Sequence, residues 1–281
     1  MSLATLSGGT PPGGPFAQAT VTGGAARARQ TWAMSRRSIL AFVRQPALVV
    51  PSMVFPLFFA ALGAASFGKA TRLPGFPKVD SFLDFQLAGS ITQAVLFGAV
   101  TGGAALATDI EEGFFDRLLA SPSTRTGILV GRLAGAAAFG AFQSLVLTLV
   151  LLPFGVHIAA GPIGVIVLTL SGALIGVSIG GFAAAMALKT GSAEAVQGSF
   201  PLLFIALFFS SAFFPRETMQ GAYRAVANVN PISYLVEGLR GLVIDGLEVG
   251  HVAAAVLIPI GIGVVSIALS LLALRGRLAA R

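Results

Sequence analysis

Cysteine is absent from this 281-residue chain, which excludes disulfides and thiol chemistry. Charge is scarce, at 10% of residues, and histidine occurs only at His157 and His251. No GxxxxGK[ST] segment occurs, so the chain lacks the backbone cradle and lysine that bind ATP phosphates. What fills the sequence instead is apolar: 55% of residues are hydrophobic and the mean hydropathy is +0.88. One soluble core could not bury that much apolar surface, so lipid is expected to be part of the solvent.

Crossing a hydrocarbon layer of roughly 30 Å takes about 20 residues of apolar helix. Six stretches are read as spans, about 47–66, 87–108, 128–152, 162–188, 199–214 and 252–274. Backbone polar groups in lipid must pair within their own segment, so an all-α, polytopic membrane fold is expected. The fifth stretch is short and is expected to continue into non-spanning helices after Phe214. None of the six contains a carboxylate or a histidine, and only Arg132 brings a charge into one. Proton-coupled transport usually needs such a group at membrane depth, so an ion-coupled secondary transporter is the weaker alternative, although sodium coupling through carbonyls leaves less trace. A channel would need polar rings along a water path, whereas Gln93, Gln143, Ser144 and Ser178 are scattered.

The formal charge of +7 does not point to nucleic acid, because the basic residues cluster beside the spans rather than on a folded polar face. With the first span leaving the cytoplasm, and Arg132 counted with the cytoplasmic end of its span, twelve Lys and Arg fall on the cytoplasmic side and six in outer loops. This bias predicts both ends on the cytoplasmic side. No short apolar run with a small-residue cleavage site precedes residue 46, so the first span is expected to act as its own insertion signal. Residues 1–24, with Pro11, Pro12, Gly13, Gly14 and Pro15 close together, are expected to be a disordered tail. Residues 25–45 read as an amphipathic helix on the membrane surface. Trp32, Ile39 and Val43 share one face, Arg37 and Arg44 lie opposite, and Arg36 intrudes on the apolar side. Pro46 marks the bend into the bilayer.

Small residues at four-residue spacing, Gly127, Gly131 and Gly135, then Gly172, Gly176, Gly180 and Ala184, let helix backbones approach closely. The same stretch contains a GxSxG pattern around Ser178, which raises an intramembrane hydrolase as an alternative. Its place in the middle of an apolar helix, away from both histidines, favours packing.

Between the second and third spans, a helix over about 109–121 is too polar to span. Ile110, Phe114, Phe115, Leu118 and Leu119 project to one side, while Asp109, Glu112 and Asp116 form a stripe on the other. Those like charges repel, and Arg117 on the flank relieves little of it, so a basic partner surface is expected. Glu111 projects among the apolar residues. Between the fifth and sixth spans, two further helical patterns, about 217–229 and 232–244, are separated by Asn230 and Pro231. Glu237 and Arg240 make a full span there unfavourable, so re-entrant or outer-surface helices over about 215–245 are expected. Phe200, Phe204 and Phe208 recur at four-residue spacing and, with Gln93 as a polar contact, form the candidate transport path.

Three of these segments resemble the type-2 class of ABC exporter permeases, which includes daunorubicin-resistance-like and polysaccharide-export subunits. EEGFFDRLLASPSTRTGILVGRL at 111–133 is similar to the family's cytoplasmic coupling helix, although Phe114 and Phe115 stand where the family often has Thr-Leu. Phe213 to Pro215 and NPISYLVEGLRGL at 230–242 match its Phe-Phe-Pro and Asn-Pro-hydrophobic-x-Tyr motifs. The resemblance implies one transmembrane domain over residues 25–281 with no catalytic role of its own. It also implies a nucleotide-binding ATPase subunit that holds ATP and magnesium, and a second permease protomer, identical or paralogous, in the lipid of a bacterial inner membrane. Residues 109 and 111–112, together with 114–118, would then contact the ATPase. No cofactor or metal is expected on this chain.

Overall fold

The computed structural model describes Arg36 and residues 46–72, 74–120 and 125–279. Five of its helices are long and apolar enough to cross a membrane. They are α1 (Pro46–Phe67), α2 (Phe82–Glu111), α4 (Arg125–Leu151), α5 (Gly161–Thr190) and α10 (Val249–Ala279). Shorter helices complete the set: α3 (Phe114–Ala120), α6 (Ala193–Gly198), α7 (Phe200–Phe208), α8 (Gly221–Val229) and α9 (Pro231–Ile244). The described residues contain no strand, and the protein is an all-α, polytopic membrane protein. The tail at 1–24 and the side chains of Trp32, Arg37 and Arg44 lie outside the described residues, while Arg36 is helical and exposed.

The centre of the bundle is α2, 72% of whose apolar window is buried, against 17% for α1 and 22% for α10. It starts with a capping box, in which the Ser81 hydroxyl accepts from Leu83 N–H and the Asp84 carboxylate accepts from Ser81 N–H. The other Asp84 oxygen accepts the His157 backbone N–H at 2.8 Å, fixing the α4–α5 connection to the start of α2. Around α2 pack α1, α4 and α5, and α10 lies against α5. The outward faces of α1 and α10 leave Phe58, Leu257 and Val264 more than half exposed, as suits helices meeting lipid or another apolar chain.

Close approach is concentrated where small residues face each other. A Cβ on Gly140 of α4 would stand 2.2 Å from the Gly172 carbonyl oxygen of α5, and one on Gly176 would stand 2.3 Å from that of Ala136. The ridge of Gly172, Gly176 and Gly180 therefore packs within the chain, with Ala136, Gly140 and Ser144 as its α4 partners. Ser178 in this ridge is buried, and its hydroxyl bonds to the carbonyls of Leu174 and Pro259. A hydroxyl committed to backbone carbonyls, with both histidines at the far end of the bundle, is packing and not a nucleophile.

The fifth apolar stretch is not one helix. Ser199 ends α6 and begins α7, and Pro201, lacking an N–H, prevents the two from joining. The run Ala193–Phe208 spans about 24 Å as helix, less than the hydrocarbon layer. It nevertheless links the two ends of the bundle. Ala193 bonds to Glu111 at the C-terminal end of α2, and Ala212 touches Gly89 near its start. The segments after it are α8 and α9, divided at Asn230, whose side chain accepts Ile232 N–H and caps α9.

Candidate functional site

The site is built at the bundle end where α2, α4, α5 and α10 converge with α3. Its first determinant is Gly113. α2 ends at Glu111, Gly113 adopts φ +68°, a left-handed conformation that glycine alone takes without cost, and α3 restarts at Phe114. The expectation of one continuous helix over 109–121 is thereby corrected. Asp109 belongs to α2, Glu112 caps it, and Asp116 lies on α3, so the three carboxylates do not form a single helical stripe.

Nor is Asp109 unneutralised. Its carboxylate forms an ion pair with Arg132 of α4, both side chains being about three-quarters buried. Arg132 was visible in the sequence as the sole charge inside an expected span; its partner, 23 residues away on another helix, was not. Glu111 is exposed at the end of α2. Its carboxylate accepts the Ala193 backbone N–H at 2.9 Å, at the start of α6. Glu112 is exposed, and the Arg117 guanidinium lies 5.8 Å from the Phe114 ring centre.

The apolar face of α3 turns into the bundle. Phe115 is 3% exposed, and the small void beside it is bordered by Leu106 of α2, Ile128 and Leu129 of α4, Leu188 of α5 and Leu274 of α10. Leu118 and Leu119 pack against the same core, and Phe114 is half-buried. One short helix therefore holds an aromatic anchor among the ends of four long ones. Arg277 donates to the Leu188 carbonyl at 3.3 Å and joins α10 to α5 at the same level.

The second part of the site is aromatic. Phe200, Phe204 and Phe208 of α7 are in contact in sequence, the first pair stacked with ring centres 5.4 Å apart and the second meeting edge-on at 4.9 Å. The sequence reading missed that Phe97 of α2 lies 4.4 Å from Phe200, and that Phe55 of α1 lies 5.1 Å from Phe97. Phe213 continues the ladder at 4.5 Å from Phe208. At its lower end a cavity of about 670 Å³ is bordered by Phe97, Thr101, Thr108, Asp109, Glu112 and Phe200. Phenylalanine wall and carboxylate mouth thus meet in one space. Gln93 does not join this surface. It is completely buried one turn from Phe97, and neither amide atom has a hydrogen-bond partner among the described residues.

Comparison with known proteins agrees with this architecture. The family model for ABC-2 type transporters matches residues 29–244. The chain is 30% identical over 214 residues to the daunorubicin resistance ABC transporter permease protein of Streptomyces coeruleorubidus, covering 73% of this chain and 72% of that one. It is 24% identical over 225 residues to a "Probable doxorubicin resistance ABC transporter permease protein" of Mycobacterium tuberculosis, covering 77% and 78%.

Proposed function

Because the chain belongs to the ABC-2 type transporter family, we propose that it is the permease subunit of an exporter driven by ATP hydrolysed on a separate subunit. On this reading it moves a hydrophobic or amphiphilic drug, lipid or glycan-type molecule out across the bacterial cytoplasmic membrane. ATP and magnesium belong to the ATPase subunit, and a second permease protomer, identical or paralogous, completes the path.

The observation that carries the proposal is the seat of Phe115. A force on α3 reaches α2, α4, α5 and α10 together through that buried ring. Packed interfaces respond to such a push as units rather than by soft deformation. Asp116 and Arg117 on α3, with Glu112 at the turn, supply the polar contacts to the ATPase. The aromatic ladder from Phe200 to Phe208 offers a greasy route, and the exposed Glu112 at its mouth favours a substrate bearing a positive charge. Pro46 and Ala279 lie at the α3 end of the bundle, which the partition of basic residues puts in the cytoplasm with both termini.

Reversing Glu112 and Asp116 together to Lys tests the coupling assignment. The expected result is normal membrane insertion with loss of ATPase co-purification and of export. Normal association and export by the double variant would overturn it. Orientation is read separately, by single cysteines placed at positions 125 and 78 in this cysteine-free chain. An impermeant reagent applied to intact cells should label position 78 and spare position 125.

A further inference from the structure

At the opposite end of the bundle, a second cavity of about 420 Å³ has charged walls. Lys78 comes from the α1–α2 connection, Glu217 from the turn before α8, Glu237, Arg240 and Asp245 from α9 and its cap, and His251 from α10. Arg240 is 5% exposed, and its hydrogen bonds among the described residues go to backbone carbonyls. Its Nε donates to Phe85 O at 3.1 Å, and Nη2 donates to Ser211 O at 2.7 Å and Ala212 O at 3.3 Å. The guanidinium carbon lies 3.6 Å from the Phe85 ring centre. Carbonyl dipoles and an aromatic face solvate this cation, Glu237 and Glu217 act on it through space, and its side chain lines the cavity.

The nearest acid on α9 is already engaged. Glu237 forms an ion pair with Arg216, which stacks 4.3 Å from the Tyr234 ring centre. Glu217 and Asp245 remain at the exposed rim, Asp245 with its carboxylate 3.9 Å from His251 Nε2. A purely anionic ligand would meet those carboxylates, and a purely cationic one would meet Arg240 and Lys78. A ligand carrying both signs satisfies each wall.

Depth narrows the choice further. α2 has 30 residues, about 45 Å of helix, which matches a bilayer with its headgroup layers, and the hydrocarbon part takes about 20 of them. Phe85, to which Arg240 bonds, is the fourth residue of α2 and so stands at headgroup level. We propose that this cavity binds the phosphoethanolamine headgroup of a membrane lipid, with the phosphate on Arg240 and Lys78 and the ammonium on Glu217 and Asp245. The site lies outside the route proposed for transport. It requires only that the α9 end lie at a membrane surface, so it stands or falls separately from the export reading.

The test uses the purified full chain, delipidated in mild detergent and titrated with phosphatidylethanolamine or phosphatidylglycerol, with retention read by native mass spectrometry. Phosphatidylethanolamine should be retained roughly tenfold more strongly than phosphatidylglycerol, which has the phosphate but no ammonium. Glu217→Gln with Asp245→Asn should erase that preference, while Lys78→Ala should weaken both lipids alike. All three positions are exposed, so an unchanged unfolding temperature is expected to accompany these effects. Equal retention of the two lipids by the natural protein, or a preference that survives the double substitution, would overturn the proposal. Displacement of the lipid by soluble phosphoethanolamine supports headgroup recognition. Binding of the soluble compound without binding of the lipid would overturn the lipid as its source.

Discussion

The Glu111 carboxylate accepts the backbone N–H of Ala193 at 2.9 Å, so the last residue of α2 caps the first turn of α6. Through this contact the broken fifth segment is tied to the central helix beside α3. The bond is exposed, and a carboxylate at such a position stabilises by about 0.5–1 kcal/mol. Glu111→Gln should keep the bond in weakened form, and Glu111→Ala should lose it. Export is expected to fall in the order wild type, Gln, Ala at constant membrane abundance; equal export by all three would remove the contact from the coupling path.

Phe115 is the residue of α3 whose truncation should cost most. Cutting a buried Phe to Ala typically costs 3–5 kcal/mol, and here the ring stands among four helix ends. Phe115→Ala should lower the unfolding temperature in detergent markedly, whereas Phe115→Leu should recover most of it. Phe114→Ala, at a half-buried position, should change stability much less.

Asp109 and Arg132 join α2 to α4, and removing one partner strands the other in a mostly buried place. Asp109→Arg and Arg132→Asp should each reduce protein level and export, and the combined exchange should restore part of both. No restoration in the exchanged pair would show that the two positions act independently.

Along the aromatic ladder, Phe97→Ala, Phe200→Ala and Phe204→Ala should alter the ranking of exported compounds more than the amount of protein. Amphiphiles with a positive charge should lose most on Glu112→Gln, since that exposed carboxylate borders the same cavity. Resistance profiles measured across neutral and cationic compounds would settle both; uniform losses that track abundance would assign the ladder to packing alone.

Five long apolar helices, the break at Asn230 and Pro231, and the amphipathic α3 were legible from residue order, because each depends on periodicity or on the backbone chemistry of a few residues. Gly113 was also there to be read, but its left-handed turn was not separable from a helical glycine by pattern alone. Two kinds of fact escaped. The partners of Asp109, Glu111 and Arg240 lie 23, 82 and up to 155 positions away, on other helices or on backbone carbonyls that carry no sequence signature. The meeting of Phe55, Phe97 and Phe200 likewise needs three helices in register, which the spacing of phenylalanines within any one apolar segment cannot announce.

By itself the sequence, which carries no GxxxxGK[ST] segment, determined that this chain lives in lipid and that it is helical. Those follow from free energies that add residue by residue, such as transfer to hydrocarbon and the pairing of backbone within one helix. Only the tertiary structure decided which charges are neutralised, that Gln93 is buried away from the aromatic ladder, and that Arg240 rests on carbonyls at one end while Phe115 locks four helices at the other. These depend on pairwise distances between helices, and such distances are set by how side chains of different segments interlock, not by the composition of any one of them.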